Sequence, residues 1–320
     1  MARPYRLPGP LCAAALLLAL AGAPPAVAQG FEEAAAAYRK GDYRTAHRGF
    51  LGPAERGNVL AQLALGVMYD EGRGVGRNHA EVARWFRRAA EQGNSWAQNN
   101  LGLMYGAGRG VRQDDAESVK WLRRSAEQGH DRAQNNLANL YLAGRGVARD
   151  YPEAATWFRR AAEQGYADAQ YNLAVMHARG DGVDRDTAEA ARWYRRAAER
   201  GHRRAALTLA NMYRVGDGVA EDLAQAVTWY RRAAEQGEGN AQAMIGFMYE
   251  AARGVPRDLV QALKWYALAL SRRAATSPEM REIAHAGRAR VERSLPASEL
   301  ARARSLAREW QPRTGTDRSR

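Results

Sequence analysis

Apolar residues fall at helical spacing along most of this chain, and that pattern itself repeats. Ala61, Leu65, Met68 and Tyr69 stand at i, i+4, i+7 and i+8, one face of a helix. Val82, Trp85, Phe86 and Ala89 stand at i, i+3, i+4 and i+7, one face of a second helix. The pair then recurs. Trp85, Trp121, Trp157, Trp193, Trp229 and Trp265 are each 36 residues apart. The glycine columns starting at Gly57 and Gly74 keep the same interval, each member of the second being followed by valine, and no insertion breaks the register across residues 57 to 272.

Between the two helices of a unit lies Tyr-x-x-Gly-x-Gly-Val. Gly72 is expected to end the first helix at positive φ, and Gly74 to let the chain return tightly. Asn78, Asp114, Asp150, Asp186, Asp222 and Asp258 form one column. Glu81, Glu117, Glu153, Glu189, Gln225 and Gln261 follow three residues later. This predicts a reciprocal capping box at every second helix, the first side chain accepting from an orphan N–H and the second reaching back. The Gly93 column ends the second helix. Alanine in the Ala61 column, Gly or Ala in the Gly66 column and the Ala89-Ala90 pair allow close helix approach, with Trp and Tyr filling the spaces. One hairpin cannot bury both its faces, so neighbouring units must stack.

Ala-x-x-x-Leu-Gly-x-x-Tyr-x-x-Gly-x-Gly-Val followed by Asp-x-x-x-Ala-x-x-Trp-x-x-x-Ala-Ala-x-x-Gly resembles the Sel1-like repeats, relatives of the tetratricopeptide repeat. The resemblance covers residues 57 to 272. His177 departs from the Tyr column, Ala252 from the Gly column, and Val82 and Ser118 stand where the family favours Ala. It implies an all-α fold, a right-handed α-solenoid of stacked antiparallel hairpins, whose first helices line a concave face. Residues 29 to 56 look like a tetratricopeptide-like capping hairpin. The period is lost after Leu270. Within 273 to 310, two helices at 278 to 293 and 297 to 310 are expected to cap the other end, and 311 to 320 form a polar, disordered tail.

Residues 1 to 28 read as a secretory leader: Arg3 and Arg6, an apolar run from Leu11 to about Ala21, then Ala26-Val27-Ala28. The run is shorter than the roughly 20 residues that span a bilayer. Cleavage near Ala28-Gln29 would remove Cys12, the only cysteine, so the mature chain would have neither disulfides nor thiolate chemistry. The expected location is periplasmic or secreted, and the expected state a monomer. The net charge of +13 is unevenly spread. Each 36-residue unit carries +1 or 0, whereas 273 to 320 carry eleven arginines against six acids. Membrane or murein contact would therefore run through the C-terminal arginines. The Arg87-Arg88 and Arg123-Arg124 pairs, and their counterparts, are each followed by a glutamate such as Glu91 or Glu127. They read as solvated helix faces with local pairing rather than a nucleic-acid stripe.

Little in the chain points to catalysis. Gly72-Arg73-Gly74 lacks the strand a phosphate loop requires and recurs as a turn. The six histidines form no pair with ligand spacing, and no cofactor is implied. His130 and His202 share a column, but two layers of about 10 Å each separate them. No serine has a nucleophile context. The candidate binding residues are Asn99, Asn135 and Tyr171, one column on first helices, flanked by Trp96 and Arg132. A ladder of amides there would suit a peptide backbone or a carboxylate, and an aromatic in a polar column suits an anchor. The same asparagines, beside Asn100, Asn136 and Asn172, also suit a purely structural role at the turn. The expected function is an exported adaptor binding a protein or peptide of the cell envelope on its concave face. A cell-wall or β-lactam hydrolase and an envelope-binding module acting through the basic C-terminus are the alternatives.

Overall fold

The computed structural model describes residues 25 to 312 except 272 to 274, with side chains from residue 30. The expected leader up to residue 24 and the tail from residue 313 lie outside these residues. All regular elements described are helical. The chain divides into two compact units, Met1–Trp157 and Phe158–Arg320. The first holds α1 (Pro25–Arg39), α2 (Tyr43–Glu55), α3 (Val59–Glu71), α4 (His79–Glu91), α5 (Ser95–Ala107), α6 (Asp115–Glu127), α7 (Asp131–Ala143) and the start of α8 (Tyr151–Glu163). The second holds the rest of α8, then α9 (Ala167–Arg179), α10 (Thr187–Glu199), α11 (Arg203–Val215), α12 (Leu223–Glu235), α13 (Gly239–Glu250), α14 (Leu259–Ser271), α15 (Pro278–Ser294) and α16 (Ala297–Glu309). Within each unit, consecutive helices pack on one another as stacked hairpins.

The apolar columns make the core. Trp85, Phe86, Leu65, Leu101 and Leu173 are wholly enclosed. The small-residue columns are there for contact: a β-carbon on Gly66 would overlap the Phe86 ring, and one on Gly246 the Tyr266 ring. Gly72, Gly108 and Gly144 end first helices in the left-handed region, at φ of 72°, 65° and 65°. In the sixth repeat Ala252 takes this conformation at φ 55° without glycine's freedom. The Gly74 column does more than turn. A β-carbon on Gly110 would run into the carbonyl of His79, and one on Gly146 into that of Asp115. These loops therefore dock, backbone on backbone, against the start of the preceding repeat's second helix.

The capping box forms only by half. Asp114 Oδ1 accepts from the N–H groups of Ala116 and Glu117, both at 3.0 Å, and Asn78, Asp150, Asp186, Asp222 and Asp258 cap in the same way. The capping residue's own N–H does not await the glutamate. It donates to the Tyr-column carbonyl, as Asp114 to Tyr105 at 3.0 Å and Asp222 to Tyr213 at 2.9 Å. That frees the glutamates for other work. Glu117 and Glu153 accept from the indole N–H of Trp121 and Trp157 at 3.0 and 2.8 Å, and Glu81 pairs with Arg84.

Both ends are closed. Phe31 and Phe50 cover Leu65 and Met68 at the N-terminal end. At the other end Arg290 makes a two-pronged bond to Glu250 at 2.7 and 3.0 Å, which also accepts from Tyr266 at 2.7 Å. Trp310 meets Trp265 edge-on at 6.3 Å.

Candidate functional site

The asparagine row is enclosed, contrary to the picture of an exposed amide ladder. Asn99 and Asn135 are 4% and 6% exposed. Asn136 Nδ2 donates to Asn99 Oδ1 at 3.0 Å, so this amide joins α5 to α7. Asn100 Nδ2 donates to the Trp96 carbonyl at 2.8 Å. The physical reason is position: both columns face the seam between layers, where an amide must find a partner inside the protein. Trp96 is half-buried and stands edge-on to Phe86 at 5.2 Å, while Arg132 is exposed.

A second polar column was not anticipated. Gln62, Gln98, Gln134, Gln170 and Gln242 are buried. Each Nε2 donates to an alanine carbonyl eight residues back, at the end of the preceding second helix, at 3.0 to 3.1 Å. Each of those carbonyls also accepts from the N–H of the glycine that follows the helix, as Ala90 from Gly93 at 3.0 Å, so the glutamine adds a second bond. In turn Gln62 and Gln98 accept from Gln92 and Gln128 at 2.9 and 2.7 Å. Glutamine is ordinarily a surface residue. The one sequence sign was its recurrence beside the alanine that begins each buried face.

Tyr171 has a different setting from the asparagines in its column. It is half-buried, and its ring stacks on His202 at 4.4 Å and 21°, with Tyr194 5.7 Å away. His202 Nδ1 accepts from Ala205 N–H at 3.1 Å, capping α11, while Nε2 lies 3.6 Å from Asp168. Tyr166 donates to the same carboxylate at 3.4 Å. Asp168 is 61% exposed, so α9 and the start of α11 present two phenol groups, an imidazole and an open carboxylate together.

The capping histidines give a pH dependence. Burial holds His202 below the usual imidazole range, partly offset by Asp168, and burial does the same to His130, whose Nδ1 caps α7 through Ala133 at 3.2 Å. Both must be unprotonated at Nδ1 to accept. A lowered folded pKa means the unfolded chain takes up the proton first. The contribution of these caps to stability is therefore complete above about pH 6.5 and is lost as pH falls through the lower folded values. Urea titrations should show the midpoint falling between pH 7.5 and 5.5. Replacing both histidines by Asn, which caps α3 and α5 through Asn58 and Asn94, should flatten that slope. An unchanged slope in the double variant would refute this origin.

The arginine pairs have partners in other columns that the sequence did not indicate. In four of the five pairs the first arginine reaches the tyrosine of the next repeat: Arg87 to Tyr105 at 2.5 Å, Arg123 to Tyr141 at 2.6 Å, Arg231 to Tyr249 at 2.8 Å, and Arg195 to Tyr213. The second lies over its own repeat's tryptophan, as Arg124 over Trp121 at 4.8 Å and Arg196 over Trp193 at 4.6 Å. A guanidinium gains more from a neighbouring phenol and ring face than from an exposed carboxylate one turn away.

Among the described residues no group of three or more His, Cys, Asp or Glu is arranged to hold a metal ion, and no helix is long and apolar enough to cross a membrane. Hairpins of this kind, linked by interlayer amides and repeated at fixed length, define an α-solenoid repeat protein. The Sel1 repeat pattern matches residues 59–94, 97–130, 131–166, 167–202, 204–238 and 239–272, and the chain belongs to the Sel1 repeat family. A Sel1 repeat protein from Oxalobacter formigenes is similar in structure, with 33% identity over 75% of this chain and 96% of its own, at a TM-score of 0.65. The protein c5321, a protective antigen of uropathogenic Escherichia coli with an SLR fold, shares 29% identity over 93% of this chain and 79% of its own, at a TM-score of 0.39. The immunity protein Pa5087 of Pseudomonas aeruginosa shares 21% identity over 69% of this chain and 85% of its own, at 0.41. No curated protein matches the chain.

Proposed function

We propose that this chain is an exported, non-catalytic scaffold that binds a protein of the cell envelope through its first-helix face. Sel1 repeats generally serve protein–protein interaction. The observation that carries the reading is the cluster of Tyr166, Tyr171, His202 and Asp168, where an otherwise enclosed asparagine column opens into partly exposed aromatic and acidic groups. Tyrosine held by neighbours loses little freedom on binding and offers both apolar area and a hydroxyl. Within the first unit by itself, Arg132, exposed on α7, and the edge of Trp96 are the contact residues proposed. Asn99 and Asn135 act in this reading by holding the layers in register. Export is supported by the leader pattern.

The test is affinity capture from envelope extract with tagged wild-type protein and with the Tyr166→Ala/Tyr171→Ala variant, each checked for helicity. A protein recovered by the wild type and reduced several-fold with the variant is the expected result. Equal recovery by both would overturn the site. The same material should begin near Gln29 on N-terminal sequencing, and an intact Met1 would overturn export.

A further inference from the structure

The seam between the first two repeats carries a groove of about 510 Å³, lined by Arg87, Tyr105, Val111, Arg112, Gln113 and Asp114. It shares no residue with the tyrosine cluster and belongs to the first unit alone. We propose that this groove is a binding site for a carboxylate side chain of an acidic polypeptide segment. The inference rests on the reading of the chain as a polypeptide-binding scaffold and adds a chemical identity to what it binds.

Arg87 is exposed, and it is held by a neutral group, Tyr105 Oη at 2.5 Å, with its ring beneath at 5.7 Å. The phenol fixes the guanidinium without discharging it, so its remaining N–H donors stay available to an acceptor. Arg112, also on the lining, is exposed too. It is peculiar to this repeat: Gly76, Ala148, Asp184, Ala220 and Pro256 occupy the same column elsewhere. Asp114 is the acid lining the groove, and its Oδ1 already accepts from the N–H groups of Ala116 and Glu117. Two cations against one partly committed anion leave the groove positive. Val111 and Tyr105, also on the lining, offer apolar surface to the methylenes of a Glu side chain. Planar guanidinium forks match a carboxylate in two-pronged geometry, and the groove is recessed, which suits a single side chain rather than a flat bilayer.

Fluorescence anisotropy with labelled octaglutamate, and octaglutamine as the uncharged probe, tests this on the purified full chain. Octaglutamate should bind and octaglutamine should not. Arg112→Ala should weaken binding about tenfold, as expected for losing one charge-assisted pair. Arg112→Glu should abolish it, and Arg302→Ala on α16, equal in net-charge change, should leave it unchanged. Equal loss for Arg112→Ala and Arg302→Ala would show only diffuse charge attraction and overturn the site. So would absence of octaglutamate binding. Tighter binding of inorganic polyphosphate with the same Arg112 dependence would overturn the choice of carboxylate. A Tyr166→Ala/Tyr171→Ala variant that binds octaglutamate normally separates this groove from the tyrosine cluster, so either reading can fail alone.

Discussion

Replacing Trp85 by alanine is expected to lower stability by about 3 to 5 kcal/mol, the range for truncating a large aromatic in a closed core. Trp85 is 0% exposed and joins Phe50, Leu65 and Met68 in the cluster that closes the N-terminal end. The flanking guanidiniums of Arg84 and Arg88 lie over the ring at 4.5 and 5.2 Å, and would lose that contact too. The indole N–H contributes nothing visible here, since Trp85 Nε1 is buried without a hydrogen-bond partner. Trp85→Phe should therefore cost much less than Trp85→Ala. Denaturant titration of the three proteins measures both differences. A loss below about 1 kcal/mol for the alanine variant would mean that the tryptophan column is not core.

Gly110→Ala should be nearly as damaging, although it adds one methyl group to a surface loop. Its φ of 69° is the left-handed region, which costs an L-residue about 1 to 2 kcal/mol. The added carbon would also strike the carbonyl of His79, which is backbone at the start of α4 and cannot swing aside as a side chain would. Overpacking of this kind adds about 1 to 3 kcal/mol. The sum is about 2 to 5 kcal/mol, read by the same titration. Gly76→Ala, two residues beyond the Gly74 loop glycine with open space around it, is the comparison and should cost little. Equal losses at both positions would show that the loop does not dock on the preceding repeat.

Much of this architecture was legible because it repeats. A Trp every 36 residues and an Asn or Asp before each second helix are local signals, and the helices they predicted are present. What escaped the sequence involves partners in another layer. The glutamate of the capping box lost its target to the Tyr-column carbonyl, a competition created only when the loop closes. Arg87 finds Tyr105 eighteen residues away rather than Glu91 one turn away, because the next repeat brings the phenol alongside. Periodicity places Asn99 and Asn135 in one column but does not say whether that column faces solvent or the neighbouring hairpin, and the same blindness hid the glutamines. Tyr171 stood out in sequence as an exception, and its company of His202 and Asp168 became visible only in three dimensions.

The glutamine column makes each hairpin a finishing part of the one before it. Alone, a second helix would end on carbonyls closed only by the following glycine's N–H, as Ala90 by Gly93 at 3.0 Å. With the next hairpin in place, Gln98 closes α4 and Gln134 closes α6. Such nearest-neighbour completion is what turns a string of marginal units into a cooperative array. At position 206 the column holds alanine, and Arg232 instead donates to the Glu199 carbonyl at 2.8 Å from the exposed side. The joint between the fourth and fifth repeats is thus clasped from outside, by a flexible side chain that water can replace. Within the second unit, that joint is where the array is expected to come apart first into shorter, still folded blocks.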